Sequence, residues 1–259
     1  MLGFPDIFSL KDRTAVVTGA AGGLGAKIAQ GMAEAGAAVV IGDIDTDGLT
    51  QTATAIQAAG SETHACECDV RDPSQARGLI EQALSMFGQI DILVNNAGIA
   101  DPEPALLHET AGEQWHEVIN INLHGVFNCS QPALEHMVDR RYGKVINIAS
   151  MWGLAGTSSV FPLPAYAASK GAVVNLTREM ALQYAPLGIN VNAICPGFYR
   201  TNLGPYDDPD FVEAVTAFTP AARIAEAHEI KGSAIYLASP ASDFVNGLML
   251  VADGGCMAK

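Results

Sequence analysis

Tyr166 and Lys170 stand four residues apart in Tyr-Ala-Ala-Ser-Lys. In a helix that spacing puts both side chains on one face, one turn apart. An ammonium beside a phenol favours the phenolate and lowers its pKa from about 10. A tyrosine held this way can take and return a proton near neutral pH. The same spacing also describes an ordinary exposed helix pair. What favours chemistry is the setting, because the pair opens a helix that follows an apolar strand. Ser150 lies just past that strand. Its hydroxyl either holds a substrate oxygen or caps a turn.

A second feature sits near the N-terminus. Thr18-Gly19-Ala20-Ala21-Gly22-Gly23-Leu24-Gly25 joins an apolar run to a helical pattern. Glycines allow a sharp turn and a close approach of backbone to a pyrophosphate. The helix start offers free N–H groups and a partial positive charge. The next apolar run ends at Asp43, placed to accept hydrogen bonds from the ribose hydroxyls of an adenosine. Its carboxylate would repel a 2′-phosphate. Neither Ile44 nor Gly22 is basic. These residues favour NAD over NADP as cofactor.

Stepping outward, apolar β-branched runs alternate with helical patterns. Strands are expected at Thr14–Thr18, Ala37–Ile41, Thr63–Cys68, Ile92–Val94, Lys144–Ala149, Ile189–Ile194 and Leu248–Val251. Helices are expected at Gly25–Ala35, Asp47–Ala59, Ser74–Phe87, Glu113–Val138, Ala165–Ala185 and Glu226–Ala238. Asp72-Pro73 reads as the cap and first turn of the third helix, and Gly88 as its stop. Strands apolar on both faces need cover on both faces. The expected fold is a single α/β domain with a doubly wound parallel sheet of about seven strands between two helix layers. Right-handed crossovers gather the strand-to-helix loops on one edge, where ligands bind. Residues 198–223, with three prolines, read as a mobile lid carrying one short helix.

The whole chain of 259 residues carries 14 basic and 28 acidic side chains, a net charge of −14. Such a chain repels phosphate backbones and anionic lipid, so neither nucleic acid nor membrane is an expected partner. No apolar run is long enough to span a bilayer. Met1–Lys11 lacks the basic-then-apolar pattern of a signal peptide. The five scattered cysteines fit a reducing cytoplasm. His116-Glu117 begins like a zinc motif, but position 120 is Asn, and no metal site is expected. Arg140-Arg141 reads as a solvated basic pair.

Taken in order, Thr18-Gly19-x-x-x-Gly23-x-Gly25, Asp69-Val70, Asn95-Asn96-Ala97-Gly98, Asn122, Ser150, Tyr166-x-x-x-Lys170, Pro196-Gly197 and Asp253-Gly254-Gly255 resemble the short-chain dehydrogenase/reductase family over nearly the whole chain. The resemblance implies a Rossmann-type fold and hydride exchange between NAD(H) and a secondary alcohol or ketone. It implies that Gly19, Gly23, Leu24 and Gly25 wrap the pyrophosphate, that Asp43 and Ile44 flank the adenosine ribose, and that Asp69 and Val70 flank the adenine. Asn96, Ala97 and Gly98 would line the cofactor. Pro196, Gly197, the backbone near Tyr199, and Thr201 would seat the carboxamide. Tyr166 would be the acid/base, Lys170 would hold the nicotinamide ribose and tune Tyr166, Ser150 would bind the reacting oxygen, and Asn122 would anchor a relay water.

The loop from Ser150 to Tyr166 is longer than is usual in the family. With Trp152, Phe161, Tyr199 and Tyr206 it is expected to line a partly aromatic substrate pocket. Substrates of the sugar-acid or polyol kind, and 3-oxoacyl, cyclic-ketone or steroid-like ones, both remain open. So does a second class of function, a catalytically silent dinucleotide-binding regulator. The two longest predicted helices are candidates for a subunit interface, and a homotetramer is expected.

Overall fold

All five residues of β1 (Thr14–Thr18) are buried, because helices cover both of its faces. In the computed structural model, which describes residue 3 and residues 6–258, seven strands form one parallel sheet. Part of the Met1–Lys11 stretch therefore lies outside the described residues. Chain order gives β1, α1 (Gly23–Glu34), β2 (Ala38–Asp43), α2 (Thr46–Ala58), β3 (Thr63–Glu67), α3 (Pro73–Phe87), β4 (Ile92–Asn95), α4 (Gly112–Ile119), α5 (Gly125–Arg140), β5 (Gly143–Ile148), α6 (Pro164–Tyr184) and β6 (Ile189–Pro196). Then follow β7 (Tyr199–Arg200), α7 (Pro209–Phe218), β8 (Ala225–Glu226), α8 (Lys231–Ala238) and β9 (Met249–Ala252). The spatial order is β3-β2-β1-β4-β5-β6-β9, and β7 pairs with β8 apart from the sheet. The reversal between β1 and β4 is the point at which a doubly wound sheet opens a crevice.

Strand alternation sorts the core into two layers. Val17, Ile41, Ile92 and Ile194 pack with Ile28 of α1 and Leu237 of α8. Val16, Val40, Leu93 and Val191 pack on the other face with Leu79 of α3 and Met137 of α5. The Asp72 carboxylate accepts from the Ser74 amide, and Gly88 takes a left-handed conformation at φ 73°, as the capping residues predict.

Two expected helices differ. The long helix predicted over Glu113–Val138 is divided by a π turn at Asn120–His124. There the Asn122 side chain bonds a neighbouring loop, an insertion that hydrophobic periodicity does not register. The helix predicted from Glu226 begins as a 3₁₀ turn, Ala227–Ile230, and becomes α-helical only at Lys231. Residues 198–223 hold the two-residue β7 and one short helix, the ten-residue α7.

At the N-terminal edge of the sheet, Asp91 is fully buried. It accepts from Arg13 Nη1 at 3.2 Å, Arg140 Nη2 at 3.1 Å, Gln89 Nε2 at 2.9 Å and the Thr14 amide at 2.9 Å. Arg140 is thus a half-buried clamp on Asp91, whereas Arg141 is exposed as expected. The five cysteines are free thiols. No helix among the described residues is long and apolar enough to cross a membrane.

Candidate active site

The glycine loop is fixed by its neighbours. Gly19 has φ +64°, and a Cβ there would lie 2.7 Å from the Ala97 Cα. A Cβ on Gly25 would collide with the Gly19 carbonyl and the Asn96 amide. Only glycine lets the loop fold this tightly onto the end of β4. Asn96 Nδ2 donates to the Thr18 carbonyl at 3.0 Å and the Gly19 carbonyl at 2.8 Å. The amides of Asn96 and Ala97 donate to Thr18 Oγ1. Gly22, at the cap of α1, supplies no side chain to satisfy the first amides. The loop is therefore a bare-backbone cradle at a helix N-terminus, the form that suits a pyrophosphate.

Asp43 ends β2 with its carboxylate on the same edge, accepting from the Ala21 amide at 3.0 Å and the Asp45 amide at 3.1 Å. Ile44 beside it is exposed. Asp69 is held by Arg71, whose Nη2 lies 2.6 Å away, and this partner keeps its carboxyl below the usual range. Val70 is buried against Gly125. Thr201 approaches the loop from above; a Cβ on Gly23 would lie 3.4 Å from the Thr201 Cβ. Pro196 ends β6, and the Gly197 amide donates to the Ala252 carbonyl at 3.0 Å.

Next to this cradle, four expected side chains converge. Tyr166 is 8% exposed and lies in the first turns of α6. Lys170 Nζ donates to the Ile148 carbonyl at 2.8 Å and sits 5.7 Å from the Tyr166 ring centre. Ser150 caps a turn, one of its two expected roles. Its Oγ accepts from the Trp152 amide at 3.1 Å, capping a 3₁₀ turn, and it also hydrogen-bonds Tyr166. Asn122, fully buried, clamps residue 99: its Oδ1 accepts from the Ile99 amide at 2.8 Å and its Nδ2 donates to the Ile99 carbonyl at 2.9 Å. The same Nδ2 donates to Ser169 Oγ at 3.0 Å, and Ser169 Oγ donates to the Tyr166 carbonyl at 2.8 Å. A Cβ on Gly98 would lie 3.2 Å from Asn122 Oδ1 and 3.3 Å from Lys170 Nζ, so this glycine keeps the space between them small.

The electrostatics correct one expectation. The net shift of the Tyr166 pKa is upward in this structure. Burial raises it, with the Ser150 hydrogen bond pulling the other way. The ammonium points to a carbonyl rather than to the phenol, and burial brings its own pKa down to about 8. Desolvation of the charged form is the largest effect on each group.

Tyr199 is a second correction. Its ring packs into the core layer with Ile194 and Ile230, not beside Tyr166. Adjacent residues of an extended segment face opposite ways, and Phe198 occupies the pocket side instead. Trp152, Phe161 and Tyr206 do join the apolar cluster around Tyr166.

One residue escaped the sequence reading. Asp101, 4% exposed, accepts from the Ala165 amide at 3.2 Å and the Tyr166 amide at 2.8 Å. The local cap position of α6 is Leu163, which has no acceptor, so a carboxylate from a distant loop does the capping. Capping signals are local in sequence, and an acceptor 65 positions away gives none.

A family profile described as enoyl-(acyl carrier protein) reductase matches residues 19–257. The chain belongs to the short-chain dehydrogenase/reductase family. It is 41% identical to cis-4-hydroxycyclohexanecarboxylate dehydrogenase of Sinomonas cyclohexanicum, over 94% of this chain and 96% of that one. It is 42% identical to 2-dehydro-3-deoxy-D-gluconate 5-dehydrogenase of Bacillus subtilis, over 98% of each chain. Among solved structures, a gluconate 5-dehydrogenase from Burkholderia cenocepacia in complex with NADP and tartrate superposes with a TM-score of 0.91 at 39% identity, covering 98% of each chain. This short-chain dehydrogenase/reductase is an oxidoreductase of the kind that acts on CH–OH groups, and sugar-acid dehydrogenases are prominent among its relatives.

Proposed function

We propose that this chain is an NAD-dependent dehydrogenase of a secondary alcohol, with Tyr166 as its acid/base. The observation that carries the reading is the convergence of Tyr166, Ser150, Lys170 and Asn122 beside the glycine cradle. A silent binding protein has no chemical need for that set. The cradle, with Cβ-sized space denied at Gly19 and Gly25, fits a dinucleotide pyrophosphate. Asp43 would hold the adenosine ribose, Asp69 and Val70 the adenine, Lys170 the nicotinamide ribose, and Gly197 and Thr201 the carboxamide end. When bound, the dinucleotide would supply the hydride acceptor for the carbinol carbon, or the hydride donor in reduction.

The protein's part is to orient and to move a proton. Ser150 Oγ and the Tyr166 hydroxyl bracket the substrate oxygen. In oxidation the Tyr166 phenolate takes the hydroxyl proton as the carbonyl forms; in reduction the protonated phenol gives it back. Asp101 and Ser169 fix the backbone from which that phenol projects. Residues 198–223 serve as the lid, and α7 must shift for substrate to reach a tyrosine that is only 8% exposed.

Asp43 and exposed Ile44 favour NAD over the NADP named for the Burkholderia enzyme. A homo-oligomer built on α5 and α6 is part of the same reading. Phe127 and Leu182 on these helices are 56% and 76% exposed, beside a groove of about 650 Å³ that includes Leu134 and Leu176. The test is NADH formation at 340 nm with a panel of secondary alcohols. Turnover with NAD and little with NADP is expected. Cofactor binding without turnover of any alcohol or ketone contradicts the reading.

A further inference from the structure

We infer that the substrate is an uncharged, largely hydrocarbon ring bearing one reactive oxygen, not a polyhydroxylated or anionic acid. This rests on the proposed role of Tyr166 and concerns the walls around it. Three segments roof that tyrosine: the loop after β4, the loop after β5, and residues 201–219 with α7. Their contributions to its surroundings are apolar. Trp152 lies 6.2 Å from Phe198, Phe161 stacks on Phe211 at 5.4 Å, and Tyr206 meets Phe211 edge-on at 5.3 Å. Tyr166 belongs to the same buried cluster.

The polar groups there are few and already engaged. The Tyr206 hydroxyl is bonded by the backbone of Tyr199. The Asp101 carboxylate is taken by two amides. Among the described side chains of this cluster that leaves Ser150 and Tyr166, which can serve a single oxygen, and the Tyr206 O–H as one donor more. A polyol placed here would bury further hydroxyls without partners, and unpaired buried polar groups weaken binding strongly.

Charge argues the same way. Residues 99–111, 151–163 and 201–219 contain no lysine or arginine. They do carry Glu103, Glu109, Asp207, Asp208, Asp210 and Glu213. The imidazole of His108 lies exposed beside Glu109 at 3.7 Å. Arg200, at the lid's root, is drawn to Glu226 at 3.6 Å and donates to the Tyr206 carbonyl. These carboxylates are exposed, so a substrate carboxylate approaching past the three segments would meet a negative field and no lysine or arginine of theirs to receive it, a repulsive element that discriminates against anions. The inferred substrate therefore differs from those that the relatives' names denote, a gluconate and a hydroxycyclohexanecarboxylate.

The test uses the full-length enzyme with NAD and a matched pair, cis-4-methylcyclohexanol and cis-4-hydroxycyclohexanecarboxylate, with D-gluconate as a third substrate. The expected kcat/KM is at least about tenfold higher for the methyl compound at low ionic strength. Raising the salt should increase kcat/KM for the carboxylate and leave the neutral ring unmoved, because screening acts only on charge. Asp207→Lys, at an exposed lid position, should narrow the gap. Equal or better use of the carboxylate at low salt overturns the inference and leaves the dehydrogenase reading intact, as does oxidation of gluconate alone. Oxidation of none of the three, with other secondary alcohols turned over, overturns the inference alone; no turnover of any alcohol or ketone overturns both.

Discussion

The two ends of the parallel sheet treat buried charge in opposite ways. At the N-terminal end, Asp91 is surrounded by four donors, two of them guanidinium groups that keep part of their solvent contact. Nearby, the buried Lys144 reaches Asp243 at 2.8 Å. Charge there is neutralised in place, which favours stability. At the C-terminal end, Lys170 is buried with a carbonyl for partner, and burial holds it near a pKa of about 8. Tyr166 is buried with its pKa raised. Groups left short of partners in a low-dielectric site are costly to keep and sensitive to whatever binds beside them. One end is built for the fold and the other for chemistry.

Substitutions can break or sharpen this contrast. The largest stability effect should come from Asp91→Ala, which leaves Arg13 and Arg140 without their shared acceptor. A loss of about 3 kcal/mol is expected, at the low end for a buried pair because both arginines touch solvent. Chemical denaturation measures it, and kcat of the folded fraction should stay near that of the parent. A large drop in kcat with unchanged stability would erase the distinction between the two ends.

Lys170→Met should act in reverse. The folded-state pKa of Lys170 lies below its ordinary value of 10.5. The folded protein therefore binds fewer protons than the unfolded chain between about pH 8 and 10.5, and stability should rise with pH across that window. Lys170→Met should flatten this rise in the cofactor-free protein, as read by Tm at each pH, while reducing turnover. Tyr166 adds a kinetic counterpart. Oxidation needs its phenolate, and burial holds the phenol protonated at neutral pH. The kcat/KM for alcohol oxidation should climb with pH into the alkaline range; a profile falling above pH 7 would contradict this.

A smaller effect is expected at Asp101. Asp101→Ala removes the cap of α6 at a cost of about 1 kcal/mol. It should lower kcat more than it raises KM, since it loosens the proton carrier rather than the binding walls. Asp101→Asn, which keeps an acceptor, should restore much of the loss. A change in KM alone would make Asp101 a substrate contact instead.

The fold was legible because its signals are local. Alternating apolar runs and helical patterns, with Asp72-Pro73 and Gly88 as punctuation, placed the strands and helices within a few residues. The convergence of Tyr166, Lys170, Ser150 and Asn122 followed from family motifs. What escaped depends on tertiary contact. Asn122 sits on a π turn because its amide clamps Ile99. Asp101 caps a helix that begins more than sixty positions later. The inward face of Phe198, in place of Tyr199, is set by how β7 leaves the sheet toward β8. The direction of the Tyr166 pKa depends on burial, to which a four-residue spacing is blind.

The central claim is that the Tyr166 hydroxyl carries the substrate proton. The most direct measurement is single-turnover NADH formation by Tyr166→Phe with saturating NAD and an alcohol that the parent enzyme oxidises, alongside the dissociation constant for NADH by fluorescence. The expected rate is lower by about a hundred- to ten-thousand-fold, with NADH binding nearly unchanged. A rate within a fewfold of the parent would contradict it.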